Sequence, residues 1–539
     1  MHSPDDLYQL FTLDTTGAQR HHYVPSSLVH LLDFDRTITN IRQHFDVSNH
    51  SCTLINKEYL GFSWSDELGL CPVFYPNIPG TFRPAFRIND LGSEHLKEVD
   101  HSYIHNILTS DIDIERTAWQ NVSRLRPGHF IALTRSTKPT PCYFGTLNRK
   151  ARNKHSSQSL AGLVEKLNNR LDRAILKSLK SHQRVGVCIS GGLDSSIIAQ
   201  KVTLACRKSG LPDPIGLTWM SEPTDLNREH TEHRFVRSIA KQLNIKLEYC
   251  PVTSLSLEKA LQQDYLEGPI HMTACHEISV MARASKLNLT AIYSGTGGDE
   301  SISYRGTGYL PGLLREGKWL EWLSCMLFHV PTRKMSLSSI LQALLGNEIS
   351  LKTMTSPPDK KAAPHYSLYN RQQERRSKVT FLNHRDRQLY YLLAHGDIQN
   401  RVQSQTHLAK NYNTCYLFPF LDIDVLTCVL NSPSKYIYRD HQSRVLARQL
   451  LKGFFDEEIR QADKLSDQMR TEDLSRVLLP LLQKFNQAVK NNYKPERSSW
   501  LNWPLLTANC KRLEKLSSPK SGIGKIHRAI QLLQFTHRL

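Results

Sequence analysis

The residues best suited to chemistry lie at 190–196, where Ser190-Gly191-Gly192-Leu193-Asp194-Ser195-Ser196 follows the apolar run RVGVCI and precedes IIAQKVTLACRK. The spacing predicts strand, glycine turn and helix in that order. Backbone N–H groups of such a turn approach an anion without a Cβ in the way, and the helix aims its positive end at the same point. Ser190, Ser195 and Ser196 add hydroxyls. Asp194 would repel phosphate on its own, so its presence points to a bridging Mg²⁺. The Walker loop, G-x-x-x-x-G-K-[ST], is not matched. A second glycine-rich run, Ser294-Gly295-Thr296-Gly297-Gly298-Asp299-Glu300, follows the short apolar run TAIY in the same manner.

Both runs need a scaffold that delivers them side by side. From residue 160 the chain alternates helical and strand-like texture: LAGLVEKLNNRLDRAILKSLK is helical in spacing, RVGVCIS a buried strand, DPIGLTWM a second strand. HRFVRSIAKQLN reads as a helix, IKLEYCPV as a third strand, HEISVMARASKLN as one helix, and the remainder beyond TAIYSG as helical. This rhythm predicts an α/β, doubly wound parallel sheet with a helical C-terminal part. Residues 1–142 instead show short strand-like runs, SCTLINKEYLGFSW (51–64), LGLCPVFY (68–75) and GHFIALT (128–134), bounded by turn residues, with few helix-length periods. They read as a β-rich domain. Residues 143–159 are polar and basic and read as a linker before a domain spanning 160–539. The Pro- and Lys-rich stretch 352–379 reads as a loop.

The SGGLDSS run resembles the pyrophosphate loop of ATP pyrophosphatases, and S-G-T-G-G-D-E resembles the second signature of asparagine synthetases and their relatives, S-G-x-G-x-D-E. Pro419-Phe420-Leu421-Asp422 matches the family's PFLD turn. Ile459-Arg460-Gln461-Ala462-Asp463-Lys464 stands where the family carries I-x-x-R-x-K, with Ala462 replacing the arginine. In the first domain, Asp66-x-x-Gly69-x-x-Pro72-x-x-Tyr75 and Arg124-Leu125-Arg126-Pro127-Gly128-His129 resemble segments of the family's glutaminase-type (Ntn) domain. The resemblance spans about residues 55–470 and implies a cleft at the carboxyl edge of the sheet that binds ATP and Mg²⁺. It implies nucleotide contacts from Ser190, Gly191, Gly192, Asp194, Ser195, Ser196, Leu217, Ser294 and Gly295. Metal contacts would come from Asp194 and Asp299. Glu232 falls near an acidic position of the family. Lys464, Asp299 and Thr296 become the candidate catalytic residues, Lys464 as the cation facing departing pyrophosphate.

Two departures refine what the resemblance implies. Glutamine-dependent members carry a cysteine directly after the initiator Met, whereas this chain has His2 and its first cysteine is Cys52. A degenerate glutaminase-like domain kept as scaffold is expected. Relatives place Glu or Tyr at the x of S-G-x-G; Thr296 is a poor base, and no base is identifiable from the sequence. Gly297-Gly298-Asp299 resembles lasso-peptide macrolactam synthetases, which adenylate an Asp or Glu side chain of a ribosomal precursor and let the peptide's own amine displace AMP. The resemblance implies a peptide or small carboxylate substrate, with a leader-peptide-binding protein and a protease as partners. An ammonia-dependent asparagine synthetase, a small-molecule amide or β-lactam-type synthetase and, more distantly, a tRNA-modifying pyrophosphatase stay open.

Bulk composition sets the frame. The 539 residues call for two or three domains, and 40% hydrophobic content with mean hydropathy of −0.42 reads as globular rather than disordered. No apolar run reaches the ~20 residues of a membrane helix. Eleven cysteines without a C-x-x-C pair fit a reducing cytoplasm better than a disulfide framework or zinc site. His101 and His105 share a helix face but lack further ligands nearby. The net charge of +19 attracts polyanions. Its basic runs at 148–154, 371–378 and 511–527 read individually as solvated surface, and nucleic acid is not the expected partner.

Overall fold

The computed structural model describes residues 7–462 apart from 17, 31–32, 45–49, 81–82, 109–112, 136, 148–157, 224–230, 263–265, 269 and 329–380, together with single positions at 477, 480, 481, 487 and 508. Lys464, His2, the three basic runs and the stretch 352–379 lie outside the described residues, as does most of the expected linker.

The N-terminal part is built on an antiparallel sheet. Strands β1 (Leu7–Leu13), β2 (Gln19–Pro25), β3 (Ser51–Ile55), β4 (Gly61–Trp64), β7 (His129–Leu133) and β8 (Cys142–Tyr143) pair in the order β2-β1-β3-β4-β7-β8. β5 (Phe74–Pro76) and β6 (Val122–Arg124) form a separate pair. Two helices are present, α2 (His101–Leu108), which carries His101 and His105, and α1 (Phe34–His44), which the sequence reading passed over. α1 is largely polar and places only Phe34, Ile38 and Ile41 among Leu10, Val24, Leu54, Phe62 and Trp64. Three apolar positions in eleven make a narrow stripe, which is why its period is weak in the sequence.

The run 68–75 is a strand only from Phe74. Asp66 prevents the rest: its carboxylate accepts from the backbone N–H of Leu68 (3.0 Å), Leu70 (3.2 Å) and Cys71 (2.8 Å), coiling the chain into a turn. Gly69 adopts φ 66°, and a Cβ there would stand 2.8 Å from Pro127 Cγ. Gly128 N–H donates to the Asp66 carbonyl. The two N-terminal motifs are thus the two sides of one buried joint.

The second part begins with α3 (Leu160–Leu179), capped by the Ser159 hydroxyl accepting from Gly162 N–H and burying Leu163, Leu167, Leu171, Ile175 and Leu179 at every fourth position. β9 (Val185–Cys188) leads to α4 (Leu193–Lys208), β10 (Ile215–Thr218) to α5 (Thr231–Leu243), and β11 (Leu247–Tyr249) to α6 (Ser254–Leu261). The helix expected over 276–288 is α8 (Ile278–Lys286), and a short helix, α7 (Met272–His276), precedes it. β12 (Ala291–Tyr293) follows, then α9 (Tyr309–Arg315), α10 (Trp319–Phe328), α11 (His384–Leu393) and α12 (Asp397–Lys410). A strand appears where helix was expected: β13 (Cys415–Leu417), three residues too short to show a period. α13 (Ile423–Leu430) and α14 (Val445–Leu450) complete the packing.

All five strands are parallel, in the order β11-β10-β9-β12-β13. The chain starts at central β9, moves outward to β11 and crosses back to β12 beside β9. The order therefore reverses between β9 and β12, and a crevice opens at their carboxyl ends. One face of the sheet packs on α3, α4, α5 and α13. The core on the other face is shared by both parts: Leu68, Phe74, Ile88, Tyr103 and Trp119 cluster with Ile278, Ile292, Val402 and Tyr416. Gln399 and Gln403 on α12 donate to the carbonyls of Leu68 (2.8 Å) and Gly69 (3.0 Å), and Arg124 to that of Glu267 (2.9 Å). At roughly 1.5–3 kcal/mol per large apolar side chain against about 1 per hydrogen bond, apolar burial holds the parts together and the polar ties set their register. No helix of the described residues is long and apolar enough to cross a membrane.

Candidate active site: two loops at the sheet crossover

The loop after β9 is shaped by its own hydroxyls. Gly191 takes φ 78° at the turn. Ser195 Oγ donates to the Gly192 carbonyl (3.0 Å) and accepts from Ser190 N–H (3.2 Å), while Ser196 Oγ donates to the same carbonyl (2.8 Å). Ser195 and Ser196 are buried, so these two hydroxyls brace the loop, and the Ser190 side chain sits 3.1 Å from Ser195 Oγ. Asp194 stands in the first turn of α4, where the helix dipole favours negative charge.

The loop after β12 lies against it. Ser294 N–H donates to Leu417 of β13, and the hydroxyls of Ser294 and Thr296 are 2.9 Å apart, both buried. A Cβ on Gly295 would meet the Asp194 carbonyl carbon and Ser195 N at 3.0 Å. A Cβ on Gly298 would fall 2.3 Å from Asp194 Cγ. Gly297, at φ 90°, rests on Leu421 of the PFLD turn, where its Cβ would come 2.5 Å from Leu421 Cδ2. Asp422 in turn caps α13 by accepting from Asp424 (2.9 Å) and Val425 (3.2 Å) N–H. The PFLD turn therefore acts as a bed for the second loop, and the two glycines let that loop close over Asp194.

The result is a partly buried acidic cluster, in which the Asp299 side chain stays 43% exposed. Asp194 Oδ2 accepts from Ser303 Oγ (2.9 Å), while Oδ1 is sealed from solvent with no hydrogen-bond partner. Burial, then the Asp299 carboxylate, pushes the Asp194 pKa up to about 7. Burial and Asp299 also raise Glu300 to about 7. Arg444 from the start of α14 brings Nη2 to 3.9 Å from Asp299 Oδ1. An orphaned carboxylate oxygen beside two further carboxylates fits a hard divalent cation such as Mg²⁺. Among the described residues no three metal-ligating side chains converge, so the cation would complete its shell with phosphate oxygens and water, its usual habit in nucleotide sites.

Other expected residues are more dispersed. Leu217 is central in β10, its side chain buried and its carbonyl accepting from Ile189 N–H (2.9 Å). Glu232 lies in the first turn of α5. Glu300, Ser303 and Arg444 join the site without having been singled out. Glu300 was visible within the D-E pair; Ser303 and Arg444 carry no local signal, since each matters only through a loop or helix brought from elsewhere.

Residues 166–492 match the family described as asparagine synthase. Twenty-four solved chains match. One is the NH3-dependent NAD synthetase from Campylobacter jejuni in complex with the nitrate ion, 14% identical, covering 36% of this chain and 88% of that one at a TM-score of 0.20. At that score the likeness carries no argument about geometry. No curated protein matches the chain. The family match takes in both loops, the PFLD turn and the 459–464 segment, and membership implies use of ATP and Mg²⁺. The chain belongs to the asparagine synthase family, carbon–nitrogen ligases that activate a carboxylate with ATP and release AMP.

Proposed function

We propose that this chain adenylates a side-chain carboxylate of a ribosomally made peptide and lets an amine of the same peptide displace AMP, closing a macrolactam or isopeptide bond. The observation that carries the reading is the contact of the two loops around Asp194, with Gly295 and Gly298 packed against it at the β9–β12 crossover. In this reading the backbone of Ser190, Gly191 and Gly192 and the N-terminus of α4 receive the phosphates, and Leu217, Ser294 and Gly295 line the nucleoside side. Asp194 and Asp299 would hold Mg²⁺, which when bound offsets phosphate charge. A carboxylate oxygen attacks the α-phosphorus and the bond to pyrophosphate breaks; Arg444 and Lys464 supply cations for the leaving group. The amine nitrogen then attacks the acyl carbon, AMP leaves with the bonding pair, and the amine loses its proton. Thr296 is spent on Ser294 rather than poised as a base. An attacking amine tethered to its own acyl group suits such a site, because effective concentration then supplies much of the rate. This chemistry brings a leader-peptide-binding protein and a protease as partners.

The test is incubation with ATP, Mg²⁺ and acidic precursor peptides, read by mass spectrometry for AMP and for peptide lighter by one water. Asparagine formed from aspartate and ammonia, without any peptide product, overturns the peptide assignment. Absence of pyrophosphate release with every carboxylate overturns adenylation itself.

A further inference from the structure

Helix α10 reads WLEWLSCMLF, and only Glu321 and Ser324 interrupt its apolar run. One face is occupied: Trp322, Cys325 and Met326 pack with Tyr309, Leu310 and Leu313 of α9 and with Ile437. The opposite face is open. Trp319, Leu320, Leu323, Leu327 and Phe328 are between 48% and 84% exposed, Leu320 the most. Leu323 and Leu327 follow Trp319 and Leu320 at helical spacing, so these side chains form one stripe. Single apolar residues on a surface are ordinary, whereas five large ones on a helix of 10 residues make an interaction face. A helix apolar on all sides is stable where both sides are covered.

The chain itself carries a match. After Phe328 come the six residues HVPTRK, with a helix-breaking Pro331, and then MSLSSILQALLG. Leu337, Ile340, Leu341, Leu344 and Leu345 stand at i, i+3, i+4, i+7 and i+8, the pattern of a helix with one apolar face, and Gly346 is a stop signal. No charged residue interrupts 335–346. A connection of six residues falls within the ~2–8 that join neighbouring helices. Residues 335–345 as a helix would run about 16 Å, against about 15 Å for α10. We propose that the open face of α10 is the docking surface for the apolar stripe 337–345 of the same chain, in an antiparallel helix pair. Concentration favours this occupant over a second copy. So short a connection holds the stripe near α10 at an effective concentration on the order of 1 mM, about a thousandfold above a second copy at about 1 µM. The far end of the stretch returns to the same unit, since Arg315 Nη1 at the end of α9 donates to the Phe381 carbonyl (2.5 Å). An anionic lipid surface fits less well, because the exposed Glu321 stands beside Leu320.

The experiment uses the full chain with Leu323→p-benzoylphenylalanine, irradiated at about 1 µM and mapped by mass spectrometry after digestion. Leu323 is exposed, so the probe leaves the packed face of α10 untouched. The photoadduct should stay within one chain and join position 323 to 335–345, with a yield at least about tenfold above any other site. Adding Leu341→Asp, which sets a charge in the stripe, should lower that yield at least about tenfold. Ser339→Asp, opposite the stripe at helical spacing, should leave it unchanged. The first readout needs no change in the stripe, so it stands even where Leu341→Asp does not fold. An adduct between two chains makes the face an interface between copies and overturns the proposal. So does an adduct that forms only with phosphatidylglycerol vesicles, on their lipid. Absence of any adduct, an adduct to another part of the chain, or equal losses in Leu341→Asp and Ser339→Asp overturn it as well.

Discussion

Each half of the molecule places an aspartate just after a strand, Asp66 buried and Asp194 half-buried, and the two are treated in opposite ways. Asp66, in the antiparallel part, accepts from three backbone N–H groups and from Ser51 Oγ (3.2 Å), and burial raises its pKa against those bonds. Asp194, in the parallel part, has one hydroxyl donor, one orphaned oxygen and two carboxylate neighbours. A buried carboxylate surrounded by donors is a fastener. One surrounded by other carboxylates is unfavourable as it stands and calls for a cation. The motif letters around the two are equally suggestive; the count of donors separates scaffold from chemistry.

The contrast breaks most readily through activity. Asp194→Ala and Asp299→Ala should each lower substrate-dependent pyrophosphate release by at least roughly a hundredfold with the fold retained by circular dichroism. Asp66→Ala should leave activity per folded molecule near wild type. Release that persists in both site variants removes the metal assignment.

A second consequence concerns pH. Asp194 and Glu300 titrate near 7 in the folded chain and near their ordinary carboxylate values when unfolded. Between those values the native state binds more protons than the unfolded one, so their contribution to stability is full at low pH and falls as pH rises toward 7. At about 1.4 kcal/mol per pKa unit, the Asp194 effect is bounded by about 4 kcal/mol. Urea midpoints should thus decline from pH 5 to pH 8, less so with Mg²⁺ and nucleotide or in Asp194→Asn. An Asp194→Asn profile that overlies wild type contradicts the acidic cluster.

Gly298→Ala sharpens the comparison sterically. Its Cβ meets the Asp194 carboxyl group, and the overlap should cost about 1–3 kcal/mol in stability and lower kcat by separating the loops. Full activity in this variant means the loops are not held in the described contact. The smallest change is Asp66→Asn, whose amide turns one acceptor into a donor facing backbone N–H groups. A loss of about 1–2 kcal/mol in chemical denaturation is expected, with KM for ATP unmoved.

Much of this was legible in the chain because it is local. SGGLDSS announces itself, with strand, glycine turn and helix set within a dozen residues, and SGTGGDE after TAIY announces a strand and a glycine turn. Elements whose identity depends on distant partners were misread. The run 68–75 looks like a strand until the Asp66 side chain takes its N–H groups. Cys415–Leu417 is a strand only because β12 offers it an edge, and α1 is a helix whose period is mostly polar.

Residue types and short-range spacing were enough to predict a β-rich part, a parallel α/β part and two glycine loops, and the resemblance of those loops to known motifs pointed to the asparagine-synthase family. Only the tertiary structure decided that Gly298 closes on Asp194, that Ser303 donates to it, and that Arg444 arrives beside Asp299. Those groups come from positions up to 250 residues apart in sequence (Asp194 to Arg444), and what they do follows from mutual burial and unmatched charge, quantities that exist only once the chain has folded.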